Sequence, residues 1–279
     1  MKNPIFPCLW FDGKAKEAAD FYCSVFTNSV ITAENAFVST FESGGERFIC
    51  LNGGPEFIFN ASISIFVLYE AEDELEKAWK RLSEGGKVMM PLDKYEWSAK
   101  YGWLQDRFGV NWQLYTGRME DVGQKFTLSL MFTGEQSGNA ELAIRFYTSV
   151  FENSGISGIA RYTKEEKDVE GNVKHAQFNL GKHVFMAMDS SFPHQARFNE
   201  AISIVVECET QDEIDYYWSK LTEGGEESQC GWLKDRFGVS WQIVPKVLGE
   251  LMSDPSKSER VVNAFMQMKK FDIEKLINA

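Results

Sequence analysis

The spacing of apolar residues predicts alternating helices and strands in the first half of the chain. From Lys14 to Phe26, apolar side chains recur at helical spacing, which predicts a helix with one face packed on a sheet. A second helix is expected at about Glu72–Glu84, followed by Gly85-Gly86 as a left-handed C-cap. Just before it, the isoleucines and valine of the segment 63–67 alternate with Ser64 and Phe66, which predicts a strand.

The chain contains an internal repeat. Trp103-Leu-Gln-Asp-Arg-Phe-Gly-Val-Asn-Trp-Gln113 recurs as Trp232-Leu-Lys-Asp-Arg-Phe-Gly-Val-Ser-Trp-Gln242, with differences only at Gln105/Lys234 and Asn111/Ser240. The offset is 139 at the Gly-Gly pairs (224 − 85) and 129 at the tryptophans (232 − 103), so the first copy holds ten extra residues within 87–101. The repeat predicts two similar α+β domains.

The repeated motif predicts a tight turn before the last strand of each copy. In Asp106–Gly109 and Asp235–Gly238, we expect the aspartate to bond nearby backbone and the glycine to take a positive φ. Alternation along the strand then turns Trp112 and Trp241 toward the helices, so both are expected in the core. This is a structural role for the motif rather than a catalytic one.

The domain boundaries follow from the repeat. We expect domain 1 at residues 1–118, domain 2 at 125–248 and a C-terminal helical extension at 249–279, with Gly117–Lys125 as the linker. Asp254-Pro255-Ser256 is a helix start signal. The expected helix then carries one apolar stripe, formed by Val261, Phe265, Met268 and Phe271.

Composition narrows the function classes. The formal net charge of −12 disfavours nucleic acid and anionic lipid as partners. The five cysteines form no CxxC pair and lack the spacing of a zinc site, which fits reduced thiols in a cytoplasmic protein. No apolar run is long enough to span a membrane, so we expect a soluble cytoplasmic protein.

Several segments carry a resemblance to a known family. They are Leu9-Trp-Phe-Asp-Gly-Lys-Ala-Lys-Glu-Ala-Ala-Asp-Phe-Tyr22, Asn199-Glu-Ala-Ile-Ser203, Cys230-Gly-Trp-Leu-Lys-Asp-Arg-Phe-Gly-Val-Ser-Trp-Gln-Ile-Val-Pro245, Glu250-Leu-Met-Ser-Asp-Pro255 and Met266-Gln-Met-Lys-Lys-Phe-Asp272. The chain thereby resembles the PhnB-like family, also called 3-demethylubiquinone-9 3-methyltransferase, within the vicinal-oxygen-chelate superfamily of glyoxalases, bleomycin-resistance proteins and dioxygenases. The resemblance implies α+β tandem domains, each of two βαβββ modules that form a cupped mixed sheet. It also implies an intramolecular pseudo-dimer, with further homodimerisation left open.

The resemblance raises the question of a metal site, since metal-dependent members of the superfamily use His, Glu or Gln on the first and last strands of each module. At the corresponding first strands this chain offers Pro7 or Cys8, and Leu128 or Ser129. The fifth strands offer Ala61 or Ser62, and Glu200 or Ala201. Only Gln113 and Gln242 on the last strands are plausible donors, and two neutral amides do not make a tight site. The histidines, His175, His183 and His194, are expected at a hairpin and in a loop. We therefore expect no tightly held metal, and the possibility of a divalent ion stays open.

Gln113 and Gln242 are the leading ligand-binding candidates, because an amide both donates and accepts. A hydrogen bond within the interface between domains is the equally weighted alternative. The remaining candidates and their alternatives are Asn60 and Asn199, as turn formers or rim donors; Trp103 and Trp232, on the seventh strands; Cys230, on the face of Trp232 and a weak candidate nucleophile; and Trp97, in a loop with Tyr95, Met89 and Met90 that forms an apolar wall. If only one pocket is functional, we expect it beside Trp97.

The leading hypothesis is a small-molecule-binding protein that holds a flat, partly apolar molecule between aromatic walls. The alternatives are a metal-dependent lyase, isomerase or dioxygenase, and an interaction module whose cups are filled by side chains. The methyltransferase activity in the family's name is disfavoured, because the paired glycines lack the GxGxxG spacing of a common S-adenosylmethionine site.

Overall fold

The structure is a computed structural model that describes residues 4–254 and 256–279, so Pro255 of the expected helix start lies outside it. Its internal contacts divide the chain into two compact units. The larger unit is Cys8–Arg197, and the smaller combines the N-terminal residues through Pro7 with Phe198–Ala279. These units cut the chain differently from the repeat. The boundaries 1–118, 125–248 and 249–279 therefore stay a prediction.

The larger unit holds four α-helices, one short 3-10 helix (Gly134–Gln136) and most of the strands. Its helices are α1 (Ala15–Val25), α2 (Glu72–Ser83), α3 (Met119–Val122) and α4 (Ala140–Val150). Its strands are β1 (Ile5–Phe11, which begins in the smaller unit), β2 (Ser29–Glu34), β3 (Val38–Ser43), β4 (Glu46–Asn52), β5 (Ile63–Tyr69), β6 (Lys87–Tyr95), β7 (Ser98–Gln105), β8 (Asn111–Thr116), β9 (Phe126–Thr133), β10 (Gly155–Arg161), β11 (Val173–Leu180) and β12 (His183–Ser190).

The smaller unit contains the remaining elements. They are β13 (Ile202–Cys208), α5 (Gln211–Leu221), β14 (Glu226–Glu227), β15 (Trp232–Lys234), β16 (Ser240–Pro245), α6 (Val247–Ser253), α7 (Ser258–Phe265) and α8 (Ile273–Ile277). Helix α5 begins with a capping box between Thr210 and Glu213, which satisfies backbone donors at its N-terminus.

The expected βαβββ modules are confirmed. In the larger unit, β5 to β8 and β9 to β12 form two modules of one eight-stranded mixed sheet with the order β10-β11-β12-β9-β5-β8-β7-β6. A further module of this unit has the strand order β1-β4-β3-β2, and the smaller unit has β14-β15-β16-β13. In each module the first and last strands are parallel neighbours. The α+β class with tandem glyoxalase-like modules is therefore confirmed.

The eight-stranded sheet joins modules from both repeats. Strand β5 of the first repeat pairs antiparallel with β9 of the second, and Ser64 lies opposite Ser129. The linker between the repeats is anchored near this junction, since Gln124 exchanges two hydrogen bonds with the backbone of Val184. The linker also contains the single-turn helix α3.

The turn motif has the role expected from the sequence. Asp106 Oδ1 accepts hydrogen bonds from the backbone amides of Phe108 and Val110, and Gly109 has a φ of 96°. Its Oδ2 accepts from Trp112 Nε1. Trp112 and Trp241 are both fully buried, as expected.

The single C-terminal helix expected from the apolar stripe is wrong. After the expected helix start, the described residues form two short helices, α7 and α8, and the stretch between Phe265 and Asp272 leaves helical geometry. There, the carbonyls of Met268 and Lys269 accept hydrogen bonds from the amides of Cys230 and Gly231. The edge of the sheet therefore takes up backbone groups that a continuous helix would have used internally.

The segment Lys87–Tyr101, expected to be a loop, is a β-hairpin instead. Strands β6 and β7 pair along it with several register shifts, and Tyr95 lies opposite Ser98. In the second repeat, the corresponding strands β14 and β15 are two and three residues long. The ten extra residues thus lengthen the β6–β7 hairpin relative to the β14–β15 hairpin.

Candidate functional site

One face of the eight-stranded sheet in the larger unit carries buried polar side chains. Ser64, Gln113 and Ser129 are exposed by only 3%, 5% and 4%. Their strands bring them together, because Phe66 is in register with Gln113 and Ser64 with Ser129. We call this surface, with Tyr101 on the neighbouring strand β7, the first polar face.

The helices pack against the opposite face. Gly102 lies so close to the Trp79 ring of α2 that a Cβ at Gly102 would stand 2.5 Å from it. Because side chains alternate along a strand, Tyr101 and Trp103 point the other way, toward Gln113. The polar face is therefore a face that the sheet does not need for packing helices.

Gln113 is held at both ends of its amide. Tyr101 Oη donates to Gln113 Oε1 in a short hydrogen bond, and Gln113 Nε2 donates to Ser64 Oγ at 2.7 Å. Burial raises the pKa of the Tyr101 hydroxyl far above its ordinary value, so the phenol stays protonated and remains a donor. The chain Tyr101–Gln113–Ser64 fixes the amide within the sheet.

Two further groups on this face differ in how they are satisfied. Trp103 Nε1 donates to Asn111 Oδ1 at 3.2 Å. Tyr115, in register with Tyr101, has a buried hydroxyl with no hydrogen-bond partner among the described residues. Desolvation raises the pKa of Tyr115 to about 12, so this unpaired hydroxyl is neutral.

The hairpin arm adds an aromatic cluster next to Tyr101. Tyr95 and Trp97 stack with ring centroids 5.0 Å apart, and each meets Tyr101 edge to face, at 5.5 and 6.0 Å. Trp97 is 63% exposed. The structure thus places the predicted Trp97 beside the face that contains Gln113.

The second-repeat half of the same sheet extends the face with sulfur and imidazole groups. Met186 is in register with Ser129, and Met188 with Met131. His175, on the neighbouring strand, is exposed, yet desolvation lowers its pKa. The neutral imidazole of His175 is therefore favoured over the protonated form.

The smaller unit carries the equivalent face of its own module. Gln242 Nε2 donates to Ser203 Oγ at 2.8 Å, as Gln113 does to Ser64. Trp232 is in register with Gln242 on the neighbouring strand. We call Ser203, Trp232, Ser240 and Gln242 the second polar face.

The expected position of Cys230 is wrong. Cys230 was expected on the face of Trp232, but it precedes β15 and has a φ of 57°, which turns it out of the strand. Its Sγ lies 3.7 Å from the carbonyl oxygen of Phe265 and 3.7 Å from Met266 Sδ. Burial raises the pKa of the thiol, so the environment does not favour the nucleophilic thiolate.

Asn60 and Asn199 act as turn formers. Asn60 Oδ1 accepts from the amide of Ser62, and Asn199 Oδ1 accepts from the amide of Ala201. Asn60 Nδ2 also donates to the carbonyl of Arg197. These bonds fix the entries into β5 and β13.

Sequence reasoning missed the partners of the two glutamines. The fifth-strand positions considered were Ala61 or Ser62, and Glu200 or Ala201, whereas Ser64 and Ser203 contact the glutamines. The Ile-Ser-Ile pattern around both serines is present in each repeat and could have identified them. Tyr101 carried no such pattern, because its counterpart in the second repeat is Cys230.

The first polar face does not fit a tightly held divalent metal. Its central groups are a carboxamide, two hydroxyls and a thioether, from Gln113, Ser64, Ser129 and Met186. Hard divalent ions prefer carboxylates, and zinc prefers imidazole and thiolate. Within residues 4–254 and 256–279, no group of three or more His, Cys, Asp or Glu side chains is arranged to hold a metal ion.

The histidines lie as the hairpin pattern indicated. His175 and His183 are on the paired strands β11 and β12, and His194 follows in a loop, where its Nε2 lies 2.9 Å from Ser190 Oγ. His183 Nδ1 is 3.6 Å from a carboxylate oxygen of Glu46. The three histidines therefore do not share one ligand set.

These modules and polar faces define a tandem protein of the glyoxalase/bleomycin-resistance fold. A sequence model of the family described as 3-demethylubiquinone-9 3-methyltransferase matches residues 3–115 and 124–244. The chain belongs to this family, also called PhnB-like.

Solved structures are similar to the chain over one repeat or over most of its length. A putative 3-demethylubiquinone-9 3-methyltransferase, PhnB protein, from Bacillus cereus is 33% identical, with 40% of this chain and 98% of that chain covered and a TM-score of 0.38. Glyoxalase I from Zea mays is 12% identical, with 91% of this chain and 97% of that chain covered and a TM-score of 0.61, a likeness of fold. A comparison with curated proteins found no significant match.

Among the described helices, none combines the length and apolar character needed to cross a bilayer.

Proposed function

We propose that the chain is a small-molecule-binding protein of the glyoxalase/bleomycin-resistance type that works without a tightly bound catalytic metal. The observation that carries this proposal is the first polar face, where buried polar groups lie on the side of the sheet that the helices leave free. A buried sheet face with only a structural role would ordinarily be apolar. Polar groups there are suited to orienting a ligand.

The ligand that fits is flat, uncharged and partly apolar. Tyr95 and Trp97 supply aromatic surface, and Met186 supplies an adaptable apolar side chain on the other half of the sheet. The ligand needs few polar atoms, because the amide of Gln113 is already hydrogen-bonded to Tyr101 and Ser64. The unpaired hydroxyl of Tyr115 is the group that a polar atom of the ligand would satisfy.

A metal-dependent lyase, isomerase or dioxygenase of the same superfamily is the enzyme alternative. It would require ligands for a divalent ion, and the neutral donors around Gln113 are poorly suited to this task. Methyl transfer, which the family's name suggests, has no support in the glycine pairs, since Gly44 and Gly45 form the tight turn between β3 and β4. An interaction module is the third alternative, and it predicts that no small molecule binds.

A cytoplasmic location remains part of the proposal, supported by five cysteines that are all free thiols.

The decisive experiment is native mass spectrometry of protein purified without chelators, combined with elemental analysis. We expect a retained organic molecule, or a thermal shift with flat aromatic compounds, and no stoichiometric metal. Trp97→Ala should lower the affinity for such a compound, whereas Phe37→Ala, an equally exposed aromatic at 62%, should not. A stoichiometric divalent ion would overturn the metal-free proposal, and the absence of any ligand from a broad screen would favour the interaction module.

A further inference from the structure

The two polar faces have the same backbone pattern but differ in how their polar groups are satisfied. In the first, Gln113 is bonded at both ends of its amide and Asn111 accepts from Trp103. In the second, Gln242 bonds only through Nε2, to Ser203. No described residue donates a hydrogen bond to Gln242 Oε1.

The difference between the two glutamines follows from one substitution. Counting back from the repeated tryptophans, Tyr101 corresponds to Cys230, two residues before Trp103 and Trp232. Cys230 is held away from Gln242, since its amide donates to the carbonyl of Met268 and its φ is 57°. The second repeat thus lacks the phenol that donates a hydrogen bond to the glutamine carbonyl oxygen in the first repeat.

A second unpaired group lies beside Gln242. Ser240, which replaces Asn111, is only 1% exposed, and its Oγ has no hydrogen-bond partner among the described residues. Ser240 and Gln242 are two positions apart on β16, so both side chains lie on the same face. A buried hydroxyl without a partner is unfavourable, and a ligand atom that reaches it relieves that cost.

We propose that the second polar face is a ligand site in its own right, which binds a neutral lactam or amide group through Gln242 Oε1 and Ser240 Oγ. The ligand's N–H donates to the carbonyl oxygen of Gln242, and its C=O accepts from the Ser240 hydroxyl. Trp232, in register with Gln242, provides the aromatic surface beside this group. The site is distinct from the first polar face, whose glutamine is already engaged by its own chain.

The test uses 2-pyridone as the probe, a flat ring with adjacent N–H and C=O groups, titrated into the full-length protein labelled with nitrogen-15. The side-chain amide resonances of Gln113 and Gln242 are assigned from the spectra of Gln113→Leu and Gln242→Leu. We expect a saturable shift of the Gln242 resonance and none of the Gln113 resonance. N-methyl-2-pyridone, which lacks the donor, should give no saturable shift.

Two variants make the test specific. Ser240→Ala should weaken 2-pyridone binding about fivefold, the effect of losing one hydrogen bond, without altering the rest of the spectrum. Tyr101→Phe should release Gln113, so that its resonance becomes responsive to the probe. Equal shifts of both glutamines in the unmodified protein, no shift of Gln242, or an unchanged affinity in Ser240→Ala would each overturn the proposal. None of these results tests whether a ligand binds beside Trp97. The proposed function and the second site can therefore fail independently of each other.

Discussion

The indole Nε1 of Trp112 donates a hydrogen bond of 2.8 Å to Asp106 Oδ2, and both side chains are buried. The same oxygen accepts from the hydroxyl of Tyr22 on α1, also at 2.8 Å. Asp106 thus connects the turn before β8 to the sheet and to a helix. Burial raises the pKa of Asp106, and the hydrogen bonds from Trp112 and Tyr22 oppose that rise.

Replacement of Asp106 by alanine should therefore be strongly destabilising. It leaves the indole and phenol donors and the amides of Phe108 and Val110 without an acceptor, and we expect a loss of at least about 3 kcal/mol in the free energy of unfolding. Urea denaturation followed by tryptophan fluorescence measures it. Asp121→Ala removes only an exposed ion pair with Arg118 and should change the value by less than about 1 kcal/mol. A similar small change for Asp106→Ala would show that the motif is not structural.

Much of this architecture is predictable from the sequence because it depends on local rules. The Asp-Arg-Phe-Gly turn needs a short acceptor and a residue with positive φ, and these requirements are visible in four letters. The burial of Trp112 and Trp241 follows from strand alternation. The repeat supplies the rest, since a motif found twice at the same relative position predicts the same module twice.

The candidate site was less predictable because it depends on tertiary pairing. Gln113 could be selected from its position on the last strand, but its bonds to Tyr101 and Ser64 come from two other strands. The sequence alone predicts that Cys230 continues the strand of Trp232, whereas in the structure the carbonyls of Met268 and Lys269 accept hydrogen bonds from Cys230 and Gly231. The same pairing interrupts the apolar stripe of the C-terminal segment, which periodicity alone had joined into one helix.

The exposed and the buried tryptophans of the first repeat should respond very differently to substitution. Trp97→Ala removes the stacked contact with Tyr95 and the edge-to-face contact with Tyr101, each worth about 1 kcal/mol or less at this exposed position. Trp112→Phe leaves Asp106 with one donor fewer and a smaller ring in the core, which should cost more than about 2 kcal/mol. Urea unfolding of both variants tests this contrast. Equal destabilisation would mean that Trp97 belongs to the structural core.

The stability of the protein should depend on the ionisation of His175. Desolvation lowers its pKa below the ordinary 6.5, so the folded protein binds the imidazole proton more weakly than the unfolded chain. The stabilising contribution is present above pH 6.5 and is lost as the pH falls through the lower folded pKa. Between about pH 7.5 and about pH 5, the free energy of unfolding should decrease more for the unmodified protein than for His175→Gln. Parallel pH profiles would contradict a desolvated His175.

The junction between β15 and the C-terminal segment should tolerate no side chain at Gly231. A Cβ there would stand 2.4 Å from the ring of Phe271 and 2.7 Å from the carbonyl oxygen of Ile243, and the φ of Gly231 is +80°. Gly231→Ala must therefore strain the backbone and displace Phe271, a side chain only 2% exposed. We expect a loss of about 2–4 kcal/mol in the free energy of unfolding.

Gly249 in α6 is the matched control, because a Cβ there meets nothing within 4 Å and its φ is not positive. Gly249→Ala should leave stability unchanged or raise it by about 0.5–1 kcal/mol, since alanine is the better helix former. Differential scanning calorimetry and urea unfolding of both variants measure the difference. If Gly231→Ala is as stable as Gly249→Ala, Phe271 does not pack against Gly231. The C-terminal segment would then not explain why Cys230 lies away from Gln242.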